Sequence, residues 1–173
     1  WFWWGNGGDT DSLHAESYIA LWKFMYTYFT GTKGLHNLIW VWNAQNALWY
    51  PGDDCVDIIG DDIYGTAQDY SSNISAYKEF QGYADTDGSK LTALSETGNI
   101  PSPANIVSDG AWWSWFMVWN DGDSVSGSVT TRTSSSNFWS GEQYNTSSHK
   151  TEVYDSGYVV TLDELPDLTS YGE

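Results

Sequence analysis

Four short apolar runs, each closing on polar or aromatic residues, constrain this 173-residue chain more than any other feature. They are His36-Asn37-Leu38-Ile39-Trp40-Val41-Trp42-Asn43, Asp57–Tyr64, Lys90–Ser95 and Trp112–Trp119. Runs this short, continuous, and rich in β-branched and aromatic residues suit strands buried on both faces, as in a parallel sheet. Helical patterns lie around them. From Ser12 to about Tyr28, Leu13, Ala20, Leu21, Phe24, Met25 and Tyr28 recur at helical spacing, with N-cap candidates from Asp9 to Ser12. Thr30-Gly31-Thr32-Lys33-Gly34 stops that helix, and Ser75–Tyr83 reads as a second one. Strands that alternate with helical or loop segments argue for βα units rather than hairpins.

The ends of the runs carry the chemistry. The first ends Trp42-Asn43, the second Asp62-Ile63-Tyr64, the third Ser95-Glu96 before the turn Thr97-Gly98-Asn99, and the fourth Trp119-Asn120. Any one of these is an ordinary polar exit into a turn. All four together match the C-terminal face of a (β/α) barrel, where active sites are built. A complete eight-fold barrel takes about 200 to 250 residues or more, so four strands with a helix before them predict the second half of one, strands five to eight. Beyond the fourth strand, Asp121–Ser136 is rich in Ser, Thr and Gly and reads as a long loop. Glu142–Tyr154 reads as a weak final helix, and Tyr158-Val159-Val160-Thr161-Leu162 is apolar enough to pack back onto the domain. There is no internal repeat.

Composition narrows the function classes. Twelve Trp and 12 Tyr stand beside two Met and one Cys. A formal charge of −17, from six basic and 23 acidic residues, repels nucleic acid and anionic membrane surfaces. Flat apolar rings in an acidic, Gly-rich chain suit an uncharged ligand such as a sugar. Cys55 is alone, so no disulfide framework exists within the chain. No apolar run reaches about 18 residues, the length of a membrane span. Asn73-Ile74-Ser75 and Asn145-Thr146-Ser147 match the glycosylation sequon. His14, His36 and His149 are not at metal spacing. Asp85-Thr86-Asp87-Gly88 places its Gly too early for an EF-hand, and Asp53-Asp54 beside Gly52 reads as a turn. No metal or other cofactor is expected. The sequence holds no P-loop, no G-x-S-x-G and no Cys/His pair at catalytic spacing.

Six stretches together resemble glycoside hydrolase family 26, the endo-β-1,4-mannanases: "WFWWG" (1–5), "HNLIWVWN" (36–43), "WYPGDDCVDIIGDDIY" (49–64), "LSETG" (94–98), "WSWFMVWN" (113–120) and "VTLDELPDL" (160–168). They occur in the family's order over nearly the whole chain. The resemblance implies that the Trp-rich start follows the fourth barrel strand, just beyond a His-Glu pair whose Glu is the general acid/base. It therefore places the acid/base upstream of Trp1 and makes residues 1–173 a partial catalytic domain, truncated at its N-terminus.

A retaining glycosidase uses two carboxyl groups about 5 to 5.5 Å apart, a nucleophile and an acid/base. Through the resemblance, Glu96 is the expected nucleophile and Tyr64 the hydroxyl that hydrogen-bonds and orients it. Asp62 shares the strand parity of Tyr64 and so its face, whereas Asp61 points the other way and reads as structural. Trp1 and Trp119 match sugar platforms next to the cleaved bond. Trp42 and Asn43 are expected to line the cleft, and Trp49 and Tyr50 either to stack on outer sugars or to cover the barrel. Trp115 shares the face of Trp119 but sits deeper, as core. The expected protein is a secreted, extracellular, retaining endo-β-1,4-mannanase acting on mannan, glucomannan or galactomannan, in a fragment that is inactive by itself. Two alternatives stay open: a non-catalytic carbohydrate-binding protein, and a β-1,3-xylanase or mixed-linkage β-glucanase of the same family.

Overall fold

A computed structural model of the chain describes residues 12–84, 90–120, 124–126, 129–131 and 135–167. Helix α1, Ser12–Thr27, runs into a π-helical turn at Tyr28–Thr32. Strand β1 is Val41–Trp42, β2 is Ile58–Ile63, β3 is Leu91–Thr97 and β4 is Phe116–Val118. Helix α2, Ile74–Gln81, joins β2 to β3, and α3, Pro103–Asp109, joins β3 to β4. The sheet order is β1-β2-β3-β4. β1 pairs parallel with β2, Val41 opposite Ile58 and Trp42 opposite Ile59. Bonds from Ser114 N to Thr92 O and from Trp119 N to Thr97 O advance in the same direction along both chains, so β4 is parallel to β3. Parallel neighbours require crossover connections, and α2 and α3 supply them. This is a partial (β/α) barrel, as the alternation in the sequence predicts.

Several boundaries differ from the sequence reading. The first strand is two residues, not eight. Trp40 is fixed instead by Asp57, whose backbone N donates to Trp40 O and whose Oδ2 accepts from Trp40 N, both at 2.8 Å. Leu38 and Ile39 stay exposed, because an apolar run becomes a strand only where a neighbour supplies a ladder. The alternation predicts only a helical or loop segment where α3 stands, although Pro103 at its first turn is a regular start signal. Within Asp121–Ser136, read as loop, β5 (Ser124–Ser126) pairs antiparallel with β6 (Val129–Thr131). The last helix, α4, is Ser147–Tyr154, capped by Thr146 Oγ1 accepting from His149 N at 3.2 Å. Tyr158, Val160 and Leu162, expected to pack back, are exposed.

The chain divides into two compact units, residues 1–62, 75–95 and 113–116, and residues 63–74, 96–112 and 117–173. The first holds the main apolar cluster. Trp42, Val56, Ile59, Phe80 and Ala84 are buried, with Tyr18, Trp22, Trp49, Tyr50 and Tyr83 packed against them. Two indole N–H groups are spent on backbone carbonyls: Trp22 Nε1 on Cys55 O at 2.9 Å, and Trp42 Nε1 on Trp49 O at 3.1 Å. Buried indoles need such partners. The interior of the second unit is more polar. Ile100, Ala111 and Val153 are buried beside Ser72, Thr97, Asn99, Asn137, Asn145 and His149. His149 stacks on Tyr70 with ring centroids 3.4 Å apart, and its Nε2 lies 2.8 Å from Ile100 O. It is a structural histidine.

Candidate active site

In the second unit the sequence-predicted pair is together. Tyr64, the residue after β2, donates its hydroxyl to Glu96 Oε2 at 2.7 Å, and Glu96 is the second-last residue of β3. The local backbone explains the meeting. Gly98 N donates to Ile63 O at 3.2 Å, so the chain just past β3 is tied to the chain just before Tyr64. Glycine at 98 lets the rings come close: a Cβ there would lie 2.7 Å from Phe138 Cε1 and 3.2 Å from Tyr64 Cδ1, so a methyl group would push a ring aside. Phe138 packs on Tyr64 at a ring distance of 5.5 Å, and Tyr144 on Phe138 at 4.5 Å.

Trp119 follows β4 and is 43% exposed, a ring with a face available for stacking, while its backbone N donates to Thr97 O at 3.0 Å. The next residue, Asn120, accepts from Asn137 Nδ2 at 2.9 Å, and Asn137 Oδ1 in turn accepts from Trp139 N and Ser140 N.

Further predicted residues lie in the first unit. Asn43 Nδ2 donates to Asp62 Oδ1 at 2.8 Å, and both side chains are half-buried. A Cβ on Gly60 would overlap Ser95 Oγ and come 2.8 Å from Asn43 Oδ1. Both of those oxygens are buried without a hydrogen-bond partner. Gly60 thus sits against the Ser95 and Asn43 side chains with no space for a methyl group. Asp61 is buried, in keeping with the structural role its parity suggests. It is 4% exposed, and burial, reinforced by the neighbouring charges of Asp62 and Glu79 and opposed by a backbone hydrogen bond at Asp62, pushes its carboxyl up to about 6. Tyr83, which donates to Glu79 Oε1 at 2.7 Å, is pushed up to about 12, chiefly by burial and then by that bond.

Three expectations are corrected. Trp42 does not line a cleft. It is 0% exposed, its ring wedged among Val56, Ile59, Phe80 and Ala84, so it has no face for a sugar; its side chain leaves the strand opposite to that of Asn43. Trp49 does not stand out for stacking either. It is half-buried, packed on the same cluster and 5.1 Å from Tyr18, which is the covering role. Trp115 is exposed rather than core. Tyr50 is turned toward Asp53, to which its hydroxyl donates. Trp1 and Asp85–Gly88 lie outside the described residues. Among the described residues no group of three or more His, Cys, Asp or Glu could hold a metal ion, and no helix is long and apolar enough to cross a membrane. Sequence reasoning gave no role in the site to Phe138, Asn137, Asn145 or Ser95; Ser95 stood out only as the residue before Glu96, and Asn145 only as part of a sequon.

The family described as glycosyl hydrolase family 26 matches residues 1–164. Mannan endo-1,4-beta-mannosidase B of Piromyces sp is 36% identical over 167 residues, which are 96% of this chain and 24% of that protein. A β-mannanase from a symbiotic protist of the termite Reticulitermes speratus, solved with gluco-manno-oligosaccharide, superposes with a TM-score of 0.72 at 34% identity, covering 96% of this chain and 44% of that one. The Podospora anserina GH26-CBM35 β-(1,4)-mannanase gives 0.70 at 34% identity, over 86% of this chain and 29% of that one. The chain spans about a quarter of the length of the curated relatives it matches.

Proposed function

The chain belongs to glycosyl hydrolase family 26, and from that premise we propose that it is the second half of the barrel of a retaining endo-β-1,4-mannanase, with Glu96 as the nucleophile. The observation that carries the reading is the hydrogen bond from Tyr64 to Glu96 Oε2 at the ends of adjacent strands. A phenol that donates to one carboxylate oxygen leaves the other free to attack and fixes its direction. Glu96 attacks the anomeric carbon as the glycosidic bond breaks, and a glycosyl-enzyme forms. The acid that protonates the leaving oxygen, and later takes the proton of the attacking water, is supplied from upstream of Trp1. Trp119 provides a stacking face for the sugar ring, as aromatic rings do for flat apolar surfaces. Asn43 and Asp62 are bonded to each other in the first unit, and the resemblance makes them, with Trp1, further sugar-binding candidates. A mannan-type polysaccharide is too large to be met inside a cell, and this supports a secreted enzyme.

The test is hydrolysis of mannan by the full-length protein and its Glu96→Gln variant, with a slowly turned-over 2-fluoro mannoside as trapping reagent. We expect the variant to lose nearly all activity. The trapped sugar should be found on the peptide containing Glu96. Wild-type rates from Glu96→Gln, or a label on another carboxylate, would sink the assignment. Binding of manno-oligosaccharide with no hydrolysis by the wild type would favour a carbohydrate-binding protein instead.

A further inference from the structure

The ring that packs against Tyr64 comes from the stretch 137–145, in which the sequence marks only a sequon at Asn145. Phe138 is in contact with both neighbours of the reacting carboxylate, the Tyr64 ring and Gly98. What keeps it there is Asn145. The Asn145 Nδ2 donates to Phe138 O at 2.9 Å and to Gly98 O at 2.7 Å, and its Oδ1 accepts from Ile100 N at 2.8 Å. One amide thus spends both donors and an acceptor on three backbone groups from two segments. Asn145 is 0% exposed, and Gly98 and Ile100 are buried with it, so their two groups have no water as a substitute partner. His149 holds the far end of the same turn through Ile100 O.

We propose that Asn145 and Phe138 are positioning residues for the reaction at Glu96. Asn145 locks Phe138 onto Gly98, and the Phe138 ring fixes the Tyr64 ring so that its hydroxyl stays on Glu96 Oε2. The proposal rests on the reading of Glu96 as the nucleophile. Tyr64 is itself exposed; without a neighbour against its ring, its hydroxyl would sample positions off the carboxylate. Misplacement of a reacting group by about 1 Å can cost about 100-fold in rate.

The experiment compares Phe138→Ala, Tyr64→Phe and the double variant in the full-length protein, on a soluble β-1,4-manno-oligosaccharide. Phe138→Ala is expected to lower kcat by roughly 10- to 100-fold with KM little changed. On the Tyr64→Phe background the same change should cost nothing further, because no hydroxyl remains to be positioned. Phe138→Leu, which keeps most of the contact, should recover part of kcat. Equal losses from Phe138→Ala in both backgrounds would overturn the proposal and leave Phe138 a packing residue. Hydrogen exchange gives a second readout that needs no activity. Gly98 N–H is bonded to Ile63 O and not to Asn145. Asn145→Ala, or Phe138→Ala where the former does not fold, should speed exchange at Gly98 while the Ile59 amide is unchanged. Unaltered exchange at Gly98 also overturns it. A wild type that hydrolyses no mannan defeats the mannanase reading by itself, and the exchange measurement then decides the clamp alone.

Discussion

Asp61 offers the sharpest quantitative prediction, because its cost is set by burial. In the folded chain its carboxyl is pushed from the ordinary 3.8 up to about 6. The sign follows from proton binding. Between those two values the folded state holds a proton that the unfolded state has released, so stability falls as pH rises. The contribution is fully present below pH 3.8, erodes up to about 6, and stays lost above that. At about 1.36 kcal/mol per pH unit, the interval amounts to about 3 kcal/mol. Asp61→Asn removes the ionisation while keeping the shape. It should match the wild type near pH 3.5 and exceed it by up to about 3 kcal/mol at pH 7. Urea denaturation of both proteins at half-unit steps from pH 3.5 to 8 measures this directly. Subtracting the two curves cancels every other titrating group. A difference that stays flat across that range, or a variant less stable than wild type at pH 7, would show that the Asp61 carboxylate is favourably partnered in the fold and that burial does not dominate it.

Gly98→Ala forces a methyl group into the Phe138 and Tyr64 rings; it should cost about 1–3 kcal/mol in thermal stability and lower mannan hydrolysis more than stability alone explains. Trp42→Ala should cost about 3–5 kcal/mol at the centre of the first unit's core, read by denaturant midpoint; a loss below about 1 kcal/mol would mean the ring is not a core anchor. Asn145 lies in a sequon, but its Nδ2 is the atom a glycan would use and it already donates to two carbonyls. Peptide mapping after secretion from an N-glycosylating host should find folded protein unmodified at Asn145, and folded, glycosylated Asn145 would contradict its burial.

Legibility in the sequence followed how local the determinant was. β2 and β3 were readable because Ile58-Ile59 and Ala93-Leu94 are buried on both faces and their runs are continuous. Glu96 and Tyr64 were readable because both stand at strand ends, where side-chain chemistry and backbone position coincide. Trp42 was misassigned for a reason of parity. It adjoins the polar Asn43, but neighbours on a strand face opposite ways, and Trp42 points into the α2 side of the sheet. The length of β1 was not readable at all, since it depends on how many ladder partners β2 offers. The antiparallel pairing of β5 with β6 is obscured by composition. Ser-Val-Ser and Val-Thr-Thr alternate weakly, and Ser and Thr are as common in loops.

The Asn145 clamp illustrates a deeper limit. Residues 98–101 and 137–145 are irregular, yet 98–101 are all buried. Buried backbone groups need partners, and regular ladders do not supply them here. Side-chain amides do so instead. Asn145 serves Gly98, Ile100 and Phe138; Asn137 serves Trp139, Ser140 and Asn120; and Asn99 Nδ2 serves Thr66 O at 2.9 Å. Such asparagines have no periodicity and no spacing to their partners, so in sequence they look like ordinary turn residues. Their job follows from where the reaction sits. Strand ends have to open outward to present Glu96 and Tyr64, which leaves the chain beyond them without a ladder. The amides restore rigidity where the sheet can no longer provide it. It follows that changes to these asparagines should act on the rate through the geometry of Tyr64 and Glu96, even though none of them carries a group that reacts.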